Sequence, residues 1–108
     1  MTLDEYQQGA LKTALYPQQL AIIYPTLGLN GEAGEVADKV KKTIRDFGGE
    51  FSDERRLAIA RELGDVMWYA ATLARDLGFS LSEVAEMNLA KLQSRVERGK
   101  LHGEGDNR

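Results

Sequence analysis

Two short stretches hold the residues best suited to chemistry. Gly31-Glu32-Ala33-Gly34-Glu35 puts two carboxylates three positions apart, and Glu62-Leu63-Gly64-Asp65 does the same further on. On a helix, residues three apart share a face about one turn apart. Each pair therefore aims two acidic groups at one region, and two such helices side by side gather four. Four carboxylates in a small volume repel one another unless a cation sits among them. Hard oxygen ligands of this kind suit Mg²⁺, with Mn²⁺ the alternative. A solvated acidic face would explain either pair taken singly. Glu62 argues against it, because it falls on one face with Ile59, Val66, Tyr69 and Leu73. A carboxylate among apolar neighbours needs a cation or a proton.

Other catalytic schemes lack their residues. There are no cysteines, so thiolate metal sites and disulfides are excluded, and the only histidine is His102, far along the chain. That removes Ser-His and Cys-His nucleophiles, and it disfavours a di-iron bundle, which needs Glu-x-x-His motifs. The formal net charge of -3 argues against a general nucleic-acid binder. Met1-Thr2-Leu3-Asp4-Glu5 has no signal-peptide character, and the longest apolar stretch, Val66 to Ala74, is too short to span a membrane. The expectation is a cytoplasmic protein, one domain over residues 1–108, with neither nucleic acid nor membrane as partner.

The elements that must position these groups read as helices. Thr2 and Glu5 form a capping-box pattern for a first helix running to about Tyr16 and stopped by Pro17. Residues 18–24 make a short turn or a loop. A second helix is predicted from about Pro25 to Phe47, with Leu29, Ala33, Val36, Val40 and Ile44 as its apolar stripe and Gly48-Gly49 as its end. Ser52 caps a third over Asp53 to Leu77, closed by Gly78. Ser80 and Glu83 open a fourth, closed by Gly99. No segment alternates as a strand does, so the class is all-α.

Two further features bear on the site. The third helix is apolar nearly all round from Val66 to Ala74, so either three neighbours in the same chain cover it or a second subunit does, and a small chain has little material for full coverage. A four-helix bundle completed by dimerisation is therefore expected. Gly28, Gly31, Gly34 and Gly64 weaken their helices and offer close approach of a backbone or a ligand. On the fourth helix, Asn88, Lys91, Arg95 and Arg98 line one face, while Leu81, Ala85, Leu89, Leu92 and Val96 line another. A cationic stripe beside a carboxylate–metal cluster is what a polyphosphate needs. A solvated basic face is the simpler account of that stripe alone.

These residues match a known pattern. Gly28 to Lys42, then Glu62-Leu63-Gly64-Asp65-Val66-Met67-Trp68-Tyr69, then Asn88-Leu89-Ala90-Lys91-Leu92, resemble the MazG-like nucleoside triphosphate pyrophosphohydrolases of the all-α NTP pyrophosphatase superfamily. The Glu-x-x-Glu and Glu-x-x-Asp motifs are separated by residues 36–61. The stretch from Lys91 to Arg108 is similar to short stand-alone members found in phages and mobile elements. The resemblance implies hydrolysis of an NTP or dNTP to its monophosphate and pyrophosphate. It implies that Glu32, Glu35, Glu62 and Asp65 hold Mg²⁺, and that Asn88, Lys91 and Arg95 contact the nucleotide or its phosphates. Many relatives begin the first motif with two adjacent glutamates, where this chain has Gly31 before Glu32. The identity of the base is open on that account, with Glu35 acting through a bound water preferred. A homodimer or dimer of dimers is the expected assembly. Selectivity for dUTP or dCTP and phosphoribosyl-ATP pyrophosphatase activity are close variants. A catalytically silent helical dimer that binds nucleotide or protein is the alternative of a different class.

Overall fold

A computed structural model describes residues 1–108. It contains α1 (Leu3–Leu11), a 3-10 turn (Gln18–Leu20), α2 (Ile23–Asp46), α3 (Asp53–Asp76) and α4 (Leu81–Glu97), and no strand. No helix is long and apolar enough to cross a membrane.

Helix α1 opens on the expected capping box between Thr2 and Glu5. It ends at Leu11, well short of Tyr16. The Thr13 hydroxyl donates to Ala10 O at 3.0 Å and accepts from the Trp68 indole at 2.8 Å, so this side chain offers the backbone an alternative to another helical turn. Helix α2 begins two residues ahead of Pro25. Pro25 thus lies in the first turn, where its missing N–H costs no helical bond. The residue before α2, Ile22, takes φ 69°, a backbone region costly for a β-branched side chain. Asp76 pins it there, accepting from Ile22 N at 3.0 Å and from the Tyr16 hydroxyl at 2.6 Å.

The antiparallel pair α2–α3 is the backbone of the molecule. Pro25, Leu29, Glu32, Val36, Lys39 and Thr43 recur in steps of four and three along α2, and Arg55, Ile59, Glu62, Val66, Tyr69 and Leu73 do so along α3. All are buried or half-buried, whereas Leu27, Ile44, Leu57 and Leu63 are exposed. This alternation is a coiled-coil seam. It corrects the expected stripe of α2, since Ala33 and Ile44 face outward and Glu32 and Lys39 face the partner helix. At the loop end, Arg55 donates to the buried Thr43 hydroxyl at 3.0 Å and to Lys39 O at 3.1 Å, and lies 4.4 Å over the Phe47 ring. Gly48 and Gly49, both at positive φ, reverse the chain into the Ser52 cap of α3.

Helix α4 packs on α3 and α1. Gln7 of α1 is buried at that corner. Its amide nitrogen donates to Ala71 O and Phe79 O, and its oxygen accepts from Leu81 N. Asp4 accepts from Ser82 N at 3.0 Å. The first helix therefore fastens the α3–α4 turn. The single chain stays open: 8 of 108 residues are buried, and the radius of gyration is 16.7 Å, against roughly 13 Å for a compact chain of this length. Within the apolar girdle of α3, Ala71 and Ala74 are buried while Met67 is exposed. Leu89 and Val96, part of the apolar face expected for α4, are exposed as well.

Candidate active site

The α2–α3 seam brings Glu32 opposite Glu62 and Asp65. One carboxylate oxygen from each lies within 4.8 Å of the others. Glu32 and Glu62 occupy seam positions and are half-buried, whereas Asp65 is exposed beside the seam. Glu35 is not in this convergent group. It precedes the seam residue Val36, which turns it about 100° away on the helix and leaves it exposed. Its charge still reaches the cluster. Burial, and after it the negative charges of Asp65, Glu62 and Glu35, push the Glu32 carboxyl above its ordinary pKa. The countercharge is slight: Lys39 Nζ stands 3.9 Å from Glu62 and is the one cation paired with the group.

Glu32 and Asp65 share a cavity of about 320 Å³ with Trp68 and Tyr69. The indole is fixed by its bond to Thr13. The Tyr69 ring lies edge-on to it, centroids 4.9 Å apart, and packs directly on Gly28, where a Cβ would collide with the ring. Tyr24 continues the aromatic wall at 6.2 Å and stacks on Tyr16 at 4.9 Å. On α1, burial and then the charge of Asp65 raise the Tyr6 pKa. Close approach, expected of four glycines, is thus realised at Gly28 alone. Open space surrounds Gly31, Gly34 and Gly64 in the single chain.

The fourth-helix residues go elsewhere. Asn88 lines a separate, largely apolar cavity of about 390 Å³ between α1, α3 and α4. Lys91 and Arg95 meet the segment after α4, where Asp106 Oδ1 lies 2.9 Å from Lys91 Nζ and 3.3 Å from Arg95 Nη2. Hydrogen bonding and charge from Lys91, followed by Arg95, lower the Asp106 pKa. No hydrogen bond or ion pair joins Lys91 or Arg95 to any of the four motif carboxylates. Three partners of these groups lie outside the sequence reading: Lys39 beside Glu62, the Thr13 anchor of Trp68, and Asp106, which occupies the cations of the fourth helix. Lys39 was within reach, because it continues the four-three spacing that runs through Glu32. Thr13 and Asp106 lie in irregular segments that carry no such period.

The family model described as the MazG nucleotide pyrophosphohydrolase domain matches residues 25–99. That span includes all four acidic residues as well as Asn88, Lys91 and Arg95. A curated relative, the Gene 37 protein of Mycobacterium phage L5, is 50% identical over 114 residues, covering the whole of both chains. No solved structure matches significantly. The paired acidic motifs, the all-helical fold and a family match across α3, α4 and nearly all of α2 together establish that the chain belongs to the MazG nucleotide pyrophosphohydrolase family.

Proposed function

We propose that this chain is a divalent-metal-dependent nucleoside triphosphate pyrophosphohydrolase, releasing a monophosphate and pyrophosphate from an NTP or dNTP. The observation that carries the reading is the convergence of Glu32, Glu62 and Asp65 within 4.8 Å with Lys39 as sole countercharge. The donor set fits a hard cation: every ligand atom is a carboxylate oxygen, and the charges of Asp65, Glu62 and Glu35 add to burial in raising the Glu32 pKa. Glu32, Glu62 and Asp65 would hold Mg²⁺, or Mn²⁺ in its place, with Glu35 the fourth carboxylate of the set. When bound, such an ion supplies charge neutralisation and Lewis-acid polarisation of the phosphate oxygens.

The chain's own groups have separable roles. Glu35, exposed and beside the cluster, is proposed to take the proton of the water that attacks the α-phosphorus. Trp68 and Tyr69 wall one side of the cavity. Asn88, Lys91 and Arg95 are proposed to hold the nucleotide, the two cations binding its phosphates. Residues 1–108 act as one domain in this reading, in the cytoplasm, on a nucleotide rather than a nucleic acid or a membrane. The open shape and the exposed apolar residues of α2, α3 and α4 support a homodimer or dimer of dimers that completes the bundle.

The deciding experiment is a panel of NTPs and dNTPs with Mg²⁺ or Mn²⁺, with pyrophosphate and orthophosphate measured separately. Pyrophosphate without orthophosphate, with isotopic oxygen from water appearing in the monophosphate, supports the assignment. No turnover on any nucleotide with either ion would return the chain to a silent helical binding module.

A further inference from the structure

The segment after α4 is folded back on the basic stripe of that helix. Gly99, at φ 67°, reverses the chain, and Lys100 N donates to Arg95 O at 2.6 Å. The Arg108 guanidinium then gathers the segment by donating to Lys100 O, Leu101 O and Gly105 O, and Arg98 donates to Arg108 O at 2.5 Å. These bonds place Asp106 between the two cations. Its Oδ1 pairs with Lys91 Nζ and Arg95 Nη2, and its backbone oxygen accepts from the same Nη2 at 2.6 Å.

The match is incomplete on both sides. Arg95 is 5% exposed, and its Nε is buried with no hydrogen-bond partner, a costly state for a charged donor. Two cations share one carboxylate. That carboxylate is 80% exposed, so water competes for it and the pairing is easily opened. A phosphate group offers more oxygens and more charge than a carboxylate, and so suits this donor set better.

We propose that residues 100–108 form an internal strap: Asp106 occupies the anion site made by Lys91 and Arg95, and the strap releases when a phosphate group of the ligand takes that place. The proposal rests on the reading above that Lys91 and Arg95 bind the substrate's phosphates. The strap would lower the apparent affinity for phosphate ligands by the fraction of molecules in which it is open. It thereby raises the substrate concentration needed for half-saturation without touching the acidic cluster.

The test uses the full chain and inorganic tripolyphosphate without divalent metal, followed by calorimetry. Asp106→Asn keeps the shape of the side chain and removes its charge. A strap closed about 90% of the time predicts roughly tenfold tighter binding by this variant than by wild type. Lys91→Ala should weaken binding in either background. With the triphosphate substrate found active, Asp106→Asn should lower KM and leave kcat unchanged. In the wild type, tripolyphosphate should also shift the Asp106 amide resonance toward that of an unstructured residue. Equal affinity in wild type and Asp106→Asn, with Lys91→Ala still weaker, overturns the strap and leaves the phosphate role of the stripe standing. Binding indifferent to Lys91→Ala overturns both.

Discussion

Glu32, Glu62 and Asp65 stand within 4.8 Å of one another with Lys39 as their only cation, whereas Lys91 and Arg95 meet a carboxylate of their own chain. The acidic group sits on the two longest helices, locked in register by the Thr43–Arg55 bond at one end and the Gly28–Tyr69 contact at the other. The helix backbones that carry it are therefore held at a fixed separation. The basic group is answered by an exposed residue on a short segment without helical structure, which can move. A fixed excess of charge calls for a ligand from outside. A charge balanced by a movable partner forms a latch.

The sharpest way to break this comparison is to discharge the acidic side. Asp65→Asn and Glu35→Gln should each reduce pyrophosphate release by about 10²-fold or more, the scale on which aimed electrostatic groups act. Both positions are exposed, so circular dichroism should report unchanged helicity. Retention of more than about a tenth of wild-type turnover by both, at saturating Mg²⁺, would count decisively against the site.

On the basic side a smaller loss is expected. Lys91→Ala removes one charged hydrogen-bond donor and should lower kcat/KM for a triphosphate on the order of tenfold. Unchanged steady-state kinetics in both Lys91→Ala and Arg95→Ala would remove the stripe from substrate binding.

Gly28 and Gly31 test the rigidity of the acidic seam. A Cβ at Gly28 meets the Tyr69 ring, so Gly28→Ala should cost about 1–3 kcal/mol by overpacking. Gly31 faces open space, and Gly31→Ala should stabilise by about 0.5–1 kcal/mol through helix propensity. Thermal melts would separate the two, at roughly 4–8 °C per kcal/mol. Destabilisation by both would reveal a second copy of the chain packed over Gly31.

The smallest effect is in the pH dependence of the metal-free protein. Glu32 has its pKa raised by burial and its acidic neighbours, so its contribution to stability is present below the unfolded value and is lost as pH rises through the folded one. Asp38 runs the other way. Hydrogen bonds from Lys42 and Lys41 lower it from 3.8 to about 2, so it stabilises above the unfolded value and this is lost as pH falls toward about 2. Glu32→Gln should therefore raise the melting temperature near neutral pH in EDTA. It should also flatten the gain that wild type shows on mild acidification. Added Mg²⁺ should stabilise Glu32→Gln less than wild type. Equal Mg²⁺ shifts in the two would remove Glu32 from the ligand set.

Local signals place α3 and α4 closely in the sequence, though not the end of α1 at Leu11. Capping boxes at Thr2 and Ser80, the Ser52 cap and the glycines at 48, 49, 78 and 99 act over a few residues, and the ends of α3 and α4 fall beside them. The acidic pairs were legible for the same reason, since i, i+3 spacing is a property of one helix. What the sequence could not decide was which face of each helix meets another. Period-3.6 counting put Ala33 and Ile44 inward, but the contact with α3 selected the seam through Glu32 and Lys39. That choice brings three of the four carboxylates together and leaves Glu35 outside. Placement of the basic stripe against the segment after α4 likewise depends on a chain reversal at Gly99 and on bonds spanning 8 to 15 residues. Periodicity fixes what a helix can present. Which presented groups meet is fixed by how the helices rotate against one another, and only the folded chain determines that.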